Sequence, residues 1–197
     1  MKIIGITGGV GAGKSLVLEY LEKQHQAYVL YADRIANDLK MPGEACYLPL
    51  IQLLGQDVCQ KDGTIDKGKM AEKIFKDKEV LAKVNAIVHP AVKEYVCRQI
   101  EDKKKQGDVL LFVIEAALLI EDHYDEICDE MWYIYADIET RSQRLRSSRG
   151  YTEERIHGII SKQLSDETFR NVCQHVIDNS GRAEETYIQI DEKLRVD

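Results

Sequence analysis

The stretch GITGGVGAGKSLVLEYLEK at residues 5–23 decides the fold of this chain. It overlaps the apolar run KIIGIT at 2–7, which is typical of a buried strand. It then continues into a segment in which Val17, Leu18 and Leu21 recur at helical spacing. Because glycine is disfavoured inside helices and strands, the four glycines between these segments predict a tight loop. The sequence therefore predicts a strand, a glycine loop and a helix that begins at Lys14.

The loop satisfies the pattern GxxxxGK[ST] from Gly8 to Ser15. In such a loop, backbone N–H groups and the helix dipole attract phosphate oxygens, and the lysine reaches the outer phosphates. The hydroxyl that follows the lysine is suited to bind Mg²⁺. A plain glycine turn between strand and helix is the structural alternative. The predicted nucleoside triphosphate site consists of Gly9, Val10, Gly11, Ala12, Gly13, Lys14, Ser15 and Leu16, with Ser15 as a metal ligand.

The composition is that of an ordinary folded protein. The chain has 197 residues, of which 44% are hydrophobic and 31% charged, and its net charge is −7. The acidic balance argues against general nucleic-acid binding, and no apolar stretch approaches the roughly 20 residues of a membrane span. The N-terminus lacks the layout of a signal peptide. We therefore expect a cytoplasmic protein without nucleic-acid or membrane partners, whose five scattered cysteines are reduced.

Strand and helix patterns alternate on either side of a helical middle third. Further strands are predicted at 27–32, 109–116, 131–136 and 175–178, and helices at 33–40, 139–148, 152–164 and 184–194. Apolar residues of the middle third recur at helical spacing, with a predicted helix break at His89–Pro90. The charged run 101–108 is predicted to be a solvated connector. The pattern predicts an α/β fold with a doubly wound parallel sheet. Its predicted parts are a nucleotide-binding core (1–40, 106–138 and 165–197), a helical acceptor domain (41–105) and a lid region (139–164).

A phosphate-binding loop does not by itself define what happens to the phosphate. A switch GTPase needs a guanine-reading NKxD, which the sequence lacks, and its DxxG matches DNSG at 178–181, far from the loop. Two classes remain: a kinase of a small acceptor, and an ATP-binding module without turnover.

A kinase needs a base, a carboxylate that supports Mg²⁺, and cations over the transferring phosphoryl group. Asp33 follows the second strand, at the edge where α/β proteins bind ligands, although it could instead cap the next helix. Glu115 ends the third strand and is assigned to Mg²⁺, with a structural salt bridge as the alternative. Arginines crowd the segment 141–155 and predict a lid, in which Arg144 and Arg149 are assigned to catalysis; an exposed face paired with glutamates is the alternative.

With these residues assembled, the chain resembles the dephospho-CoA kinase family. The resemblance rests on the glycine loop, YADRIANDL (31–39), PGEA (42–45), DGTIDKGKMAEKIFKD (62–77), NAIVHPAV (85–92), EAALLIE (115–121) and VIDNSG (176–181). It implies MgATP-dependent phosphorylation of the 3′-hydroxyl of dephospho-CoA, giving CoA and ADP, in the last step of coenzyme A biosynthesis. It also implies a P-loop NTPase fold like that of nucleoside monophosphate kinases, with a five-stranded parallel sheet, a helical insertion and a lid.

The resemblance also implies roles for single residues. Asp33 is the expected base, Asn179 belongs to the ATP end of the site, and Gln163 shapes the lid. The implied acceptor-binding residues are Asp33, His89, Leu118 and Glu121. The chain departs from the family pattern at Tyr31, Asn37 and Ala117, where aspartate, arginine and proline are usual. A P-loop kinase of another acceptor, such as a nucleoside monophosphate, is the alternative.

Overall fold

The computed structural model describes residues 1–195, so the last two residues of the predicted core segment 165–197 lie outside the described part. A five-stranded parallel sheet has the strand order β2-β3-β1-β4-β5. The strands are β1 Lys2–Thr7, β2 Tyr28–Tyr31, β3 Leu111–Glu115, β4 Glu130–Tyr135 and β5 His175–Asp178. The helices are α1 Lys14–His25, α2 Ala32–Asp38, α3 Tyr47–Leu54, α4 Lys67–Lys76, α5 Lys78–Gln106, α6 Ile138–Arg149, α7 Glu153–Ile160, α8 Asp166–Val172 and α9 Ala183–Arg195. The predicted P-loop kinase fold class is confirmed.

The described chain divides into two compact units. The first consists of Met1–Leu30 together with 106–195, and the second is Tyr31–Lys105. The second unit thus begins at Tyr31, ten residues before the sequence-predicted boundary at 41, and it includes α2. The segment predicted as a lid, 139–164, belongs to the first unit.

Strand β1 lies at the centre of the sheet and is apolar on both faces. Ile4 and Ile6 are fully buried, as expected for a parallel strand covered on both sides. In the register with β3, Ile6 is opposite Glu115. Because parallel strands end at the same edge, this register places Glu115 beside the start of the glycine loop that follows Thr7.

The predicted helix break at Pro90 is wrong, because α5 runs unbroken from Lys78 to Gln106. Proline removes one backbone hydrogen bond and costs a helix about 3 kcal/mol. The helix continues nevertheless because an apolar stripe is buried on both sides of Pro90: Val84, Val88, Val92, Val96 and Ile100. The predicted connector at 101–108 is also wrong in part, since α5 includes its first six residues. Among the described residues, no helix combines the length and the apolarity that crossing a bilayer requires.

The segment before β5 contains a helix that the sequence interpretation missed. Helix α7 ends at Ile160, earlier than the predicted residue 164, and α8 occupies Asp166–Val172. Ser165 caps α8 by accepting a hydrogen bond from the backbone N–H of Thr168 at 3.1 Å. Phe169 is the residue that α8 buries, and one buried position in seven residues gives too little periodicity for a prediction.

We expect Gly5→Ala to lower the free energy of unfolding by about 1–3 kcal/mol, because core overpacking forces its neighbours to move. A Cβ at Gly5 would lie 2.6 Å from Met131 Sδ and 2.8 Å from Leu119 Cδ2. Gly158 is the matched control: it lies within α7 with open space around it, so Gly158→Ala should stabilise the protein by about 0.5–1 kcal/mol. Urea unfolding curves measure both values, and equal stability of the two variants would contradict the packing argument.

Candidate phosphate-binding site

The glycine loop links β1 to α1 and has the backbone conformation that its sequence predicts. Gly13 forms the N-cap of α1 with φ 85° and ψ 30°, in the left-handed region that residues with a side chain rarely adopt. The side-chain amide of Asn179 also lies where a Cβ on Gly13 would be. Conformation and close contact therefore both require glycine immediately before Lys14.

Lys14 lies in the first turn of α1 and contacts both the loop and the end of β3. Its Nζ donates to the carbonyl oxygen of Gly8 at 2.8 Å and lies 3.7 Å from Glu115 Oε1. Glu115 thus has an ion-pair partner in Lys14, as expected if its role is a structural salt bridge and not Mg²⁺ binding. Both side chains are largely buried. Ser15 is exposed and Leu16 half-buried in the same turn. A lysine, a hydroxyl and a carboxylate are therefore gathered at one edge of the sheet.

The outer side of the loop is bound by Asn179 and Arg144. The buried Asn179 donates from Nδ2 to the carbonyl oxygen of Ala12 at 2.7 Å, and its Oδ1 accepts from the hydroxyl of Thr186 at 2.9 Å. Arg144 donates from Nη1 to the same Ala12 oxygen at 3.2 Å and from Nη2 to the carbonyl oxygen of Asn179 at 2.8 Å. The structure therefore brings both predicted residues to the loop, and they hold its backbone from outside.

Arg141 is a third residue that braces the loop, and it is almost fully buried, with 9% of its surface exposed. Its Nε donates to the carbonyl oxygen of Val10 at 3.0 Å, and its Nη2 donates to the side-chain oxygen of Gln163. Burial lowers the pKa of the Arg141 guanidinium, which nevertheless stays protonated. Within residues 1–195, no carboxylate forms an ion pair with it. A buried cation with neutral partners is costly, so the arrangement favours an anion here.

Helix α6 is held in place by its N-terminal cap. Asp137 accepts hydrogen bonds from the backbone N–H of Thr140 at 2.7 Å and from its hydroxyl at 2.8 Å. These bonds lower the pKa of the Asp137 carboxyl. The backbone N–H of Asp137 donates to Ser180 Oγ at 3.0 Å. Because Arg141 and Arg144 follow within two turns, this cap fixes the direction from which they reach the loop.

A cavity of about 390 Å³ opens beside Arg141 in the first unit. Its aromatic wall comes from β4 and α8, and its polar lining includes Arg141, Gln163 and Asp166. Tyr133 and Phe169 stack with ring centroids 4.6 Å apart. Burial and the neighbouring Asp166 raise the pKa of Tyr133, which keeps its hydroxyl protonated. Arg141 thus lines a space that can hold part of a ligand.

The remaining arginines of the predicted lid lie on the surface. Arg146 pairs with Glu153 at 2.8 Å, as the exposed-face alternative expects. Arg155 lies over the ring of Tyr151 at 4.0 Å from its centroid, and Arg149 lies 5.9 Å from the same centroid. The structure does not bring Arg149 to the glycine loop.

Asp33 lies in the first turn of α2, in the second unit, with its side chain exposed. The capping alternative is wrong, because α2 begins at Ala32 and the residue at its N-cap position is Tyr31, which makes no side-chain capping bond. The Asp33 carboxylate therefore does not serve as the N-terminal cap of α2.

The other predicted acceptor residues are divided between the units. His89 is half-buried within α5 of the second unit. Leu118 and Glu121 follow β3 in the first unit, where both side chains are exposed. Their assignment to the acceptor stays a prediction.

Sequence reasoning placed Arg141 in the lid but missed its contact with the loop. The signal that could have found it is helical spacing: Arg141, Arg144 and Leu145 lie three and four residues apart and share one face. Leu145 is buried, so that face points inward. The contact with Gln163 had no local signal, because it joins positions 22 residues apart through the lid segment.

The family model and the curated relatives that match this chain name the same protein family. The model of the dephospho-CoA kinase family matches residues 2–185. Curated dephospho-CoA kinases from Corynebacterium glutamicum and Shouchella clausii are 33% and 34% identical, over 94% and 97% of this chain and 92% and 96% of theirs. A crystal structure from Thermus thermophilus has a TM-score of 0.81 at 26% identity, over 99% of this chain and 96% of that one. The dephospho-CoA kinase from Campylobacter jejuni shares the fold, with a TM-score of 0.73 at 18% identity and the same coverage.

We expect Arg141→Ala to weaken MgATP binding by about 10- to 100-fold, the usual effect of losing hydrogen bonds that involve a charged group. Arg141→Lys should recover only part of this loss, because an ammonium cannot donate in the two fixed directions of a guanidinium. Isothermal titration with MgATP measures both constants. Arg98→Ala is the control, since Arg98 is exposed on α5 and pairs with Glu94. Wild-type affinity in Arg141→Ala would show that the loop does not depend on this brace.

Proposed function

The chain belongs to the dephospho-CoA kinase family, and we propose that it transfers the γ-phosphoryl group of ATP to the 3′-hydroxyl of dephospho-CoA. In this reaction the bond between the γ-phosphorus and the β,γ-bridging oxygen breaks, and a bond from that phosphorus to O3′ forms. CoA and ADP are the products, and the hydroxyl proton is released. The observation that carries the proposal is the braced glycine loop with Lys14 at its end, in a chain matched by this family over residues 2–185.

We assign the triphosphate to the glycine loop. The loop amides and Lys14 would hold the β- and γ-phosphates, and Arg141 and Arg144 support the loop from its outer side. Phosphoryl transfer depends mostly on positioning and on neutralising charge, so a fixed loop contributes directly to the rate. Arg149 is proposed to reach the transferring group from the lid.

The donor set at the sheet edge suits Mg²⁺. Ser15 offers a hydroxyl and Glu115 a carboxylate, both of them oxygen ligands. No group of three or more His, Cys, Asp or Glu side chains within the described chain could form a metal cage. Proteins commonly bind magnesium through one or two carboxylates together with substrate phosphates, and Glu115 would supply such a carboxylate. When bound, the ion would neutralise charge on the β- and γ-phosphates.

Asp33 is proposed as the general base. Its carboxylate is exposed and makes no capping bond, so it is available to accept the proton of the 3′-hydroxyl. The family resemblance supports the same role. His89, Leu118 and Glu121 are proposed to contact other parts of the acceptor.

The acceptor can be tested directly by offering MgATP with dephospho-CoA, AMP, CMP or adenosine. We expect the highest kcat/KM with dephospho-CoA, measured as ADP release, and a product heavier by one phosphoryl group in mass spectrometry. EDTA should stop the reaction. Preference for AMP or CMP would indicate a nucleotide kinase, and ATP binding without ADP from any acceptor would indicate a module without turnover.

Asp33→Asn should lower kcat about 10²- to 10⁴-fold, the usual range for losing a general base. MgATP affinity should stay unchanged, because the amide preserves shape and only removes basicity. Asp38→Asn is the matched control, an exposed carboxylate near the end of the same helix. Near-normal turnover in Asp33→Asn would remove Asp33 from this role.

A further inference from the structure

A small cavity in the second unit lies between the end of α2 and the start of α4. Its volume is about 50 Å³, more than the share of one water molecule in the liquid. Asn37, Lys40 and Lys67 form its polar lining, and Met41, Ile65 and Met70 form its apolar lining. Lys40 is half-buried and Lys67 is exposed, and their charges lie close enough to repel each other.

The protein offsets the charge of this cavity only in part: Asp33 favours the charged form of Lys40 without forming an ion pair with it. Among residues 1–195, no carboxylate lies within ion-pair distance of Lys40 or Lys67. Burial lowers the pKa of Lys40, and the charge of Lys67 lowers it further. Two lysines later in α4 are arranged differently: Lys73 pairs with Asp57 at 2.7 Å, and Lys76 pairs with Glu72 at 2.6 Å.

Two neighbouring cations that repel each other in a concave site favour a bound anion. A lysine ammonium acts as a point charge and suits phosphate oxygens without fixing their orientation. An anion that bridges Lys40 and Lys67 would remove the repulsion between them. The chemistry of the cavity thus indicates a phosphate-bearing ligand.

The position of Lys40 two residues after the end of α2 indicates which phosphate this is. Asp33, Asn37 and Lys40 are spaced four and three residues apart, so they lie on one helical face. Leu39 keeps a helical backbone beyond Asp38, with φ −63° and ψ −14°. The side chain of Asn37 donates to the carbonyl oxygen of Asp33 at 2.9 Å. At 1.5 Å per residue, Asp33 and Lys40 are about 10 Å apart along the axis.

The acceptor carries its reacting hydroxyl and its phosphates in a matching order. In dephospho-CoA, the 3′-hydroxyl is joined to the diphosphate through C3′, C4′, C5′ and O5′ of one ribose. If Asp33 receives the hydroxyl, a ribose that lies along this helix face would bring the diphosphate toward Lys40. Adenosine would place nothing there.

We propose that Lys40 and Lys67 bind the diphosphate bridge of dephospho-CoA. This inference rests on the proposed function, and it identifies the feature by which the enzyme distinguishes its acceptor from a nucleoside.

The test compares Lys40→Met, Lys67→Met and the double variant with wild type, because methionine keeps much of the side-chain length and removes the charge. We expect each single change to raise the KM for dephospho-CoA about tenfold and the double change to raise it further. The KM for ATP and kcat at saturating acceptor should stay within twofold of wild type, the pattern of an interaction made equally in the ground and transition states. Titration calorimetry with dephospho-CoA alone should show the same weakening without catalysis.

Three controls make the outcome decisive. Lys76→Met removes a lysine that already has a carboxylate partner and should leave every constant unchanged. Lys40→Arg and Lys67→Arg keep the charge and should retain most of the affinity, including in the case where a methionine variant fails to fold.

An unchanged KM and Kd for dephospho-CoA in the double variant would overturn the inference and leave the proposed function intact. Failure of the wild-type enzyme to phosphorylate dephospho-CoA would overturn the proposed function itself.

Discussion

A loop that offers its N–H groups to a phosphate must also satisfy its carbonyl oxygens. In this protein, side chains from distant parts of the chain supply the donors: Arg141 for Val10, and Asn179 with Arg144 for Ala12. Lys14 donates to Gly8 in the same way. Because unsatisfied carbonyl groups would weaken any fixed loop shape, these bonds set the conformation on which phosphate binding depends.

This constraint also explains why the braces come from α6 and from the end of β5. Both follow strands on the β4 side of β1, so they reach the outer side of the loop from neighbouring positions in the sheet. The cap at Asp137 and the Thr186–Asn179 bond then fix these two supports in turn. A chain with a net charge of −7 thereby concentrates two arginines and a lysine where a triphosphate is proposed to bind.

The sequence predicted the parts of this structure that depend on local chemistry. The glycine pattern and the apolar strand before it identified β1, the loop and α1 almost to the residue. The error at Pro90 arose because a local signal for a break was weaker than a buried stripe that spans the whole of α5. Contacts such as Arg141 with Gln163 could not be predicted, because no local pattern records which partner a distant side chain meets. The proposed roles of Asp33 and Glu115 were predicted from their positions after strands, at the edge where parallel sheets bind ligands.

The two proposed phosphate sites differ in a way that fits their tasks. The triphosphate is assigned to a lysine and to backbone amides of a loop whose carbonyl groups are held by arginines, because the transferring phosphorus must be aligned for attack. The acceptor diphosphate takes no part in bond making, so it needs affinity more than orientation. Point charges on the flexible side chains of Lys40 and Lys67 would be sufficient for that proposed purpose. Under these assignments, rigid donors lie where the reaction depends on geometry, and mobile cations lie where the ligand only has to be retained.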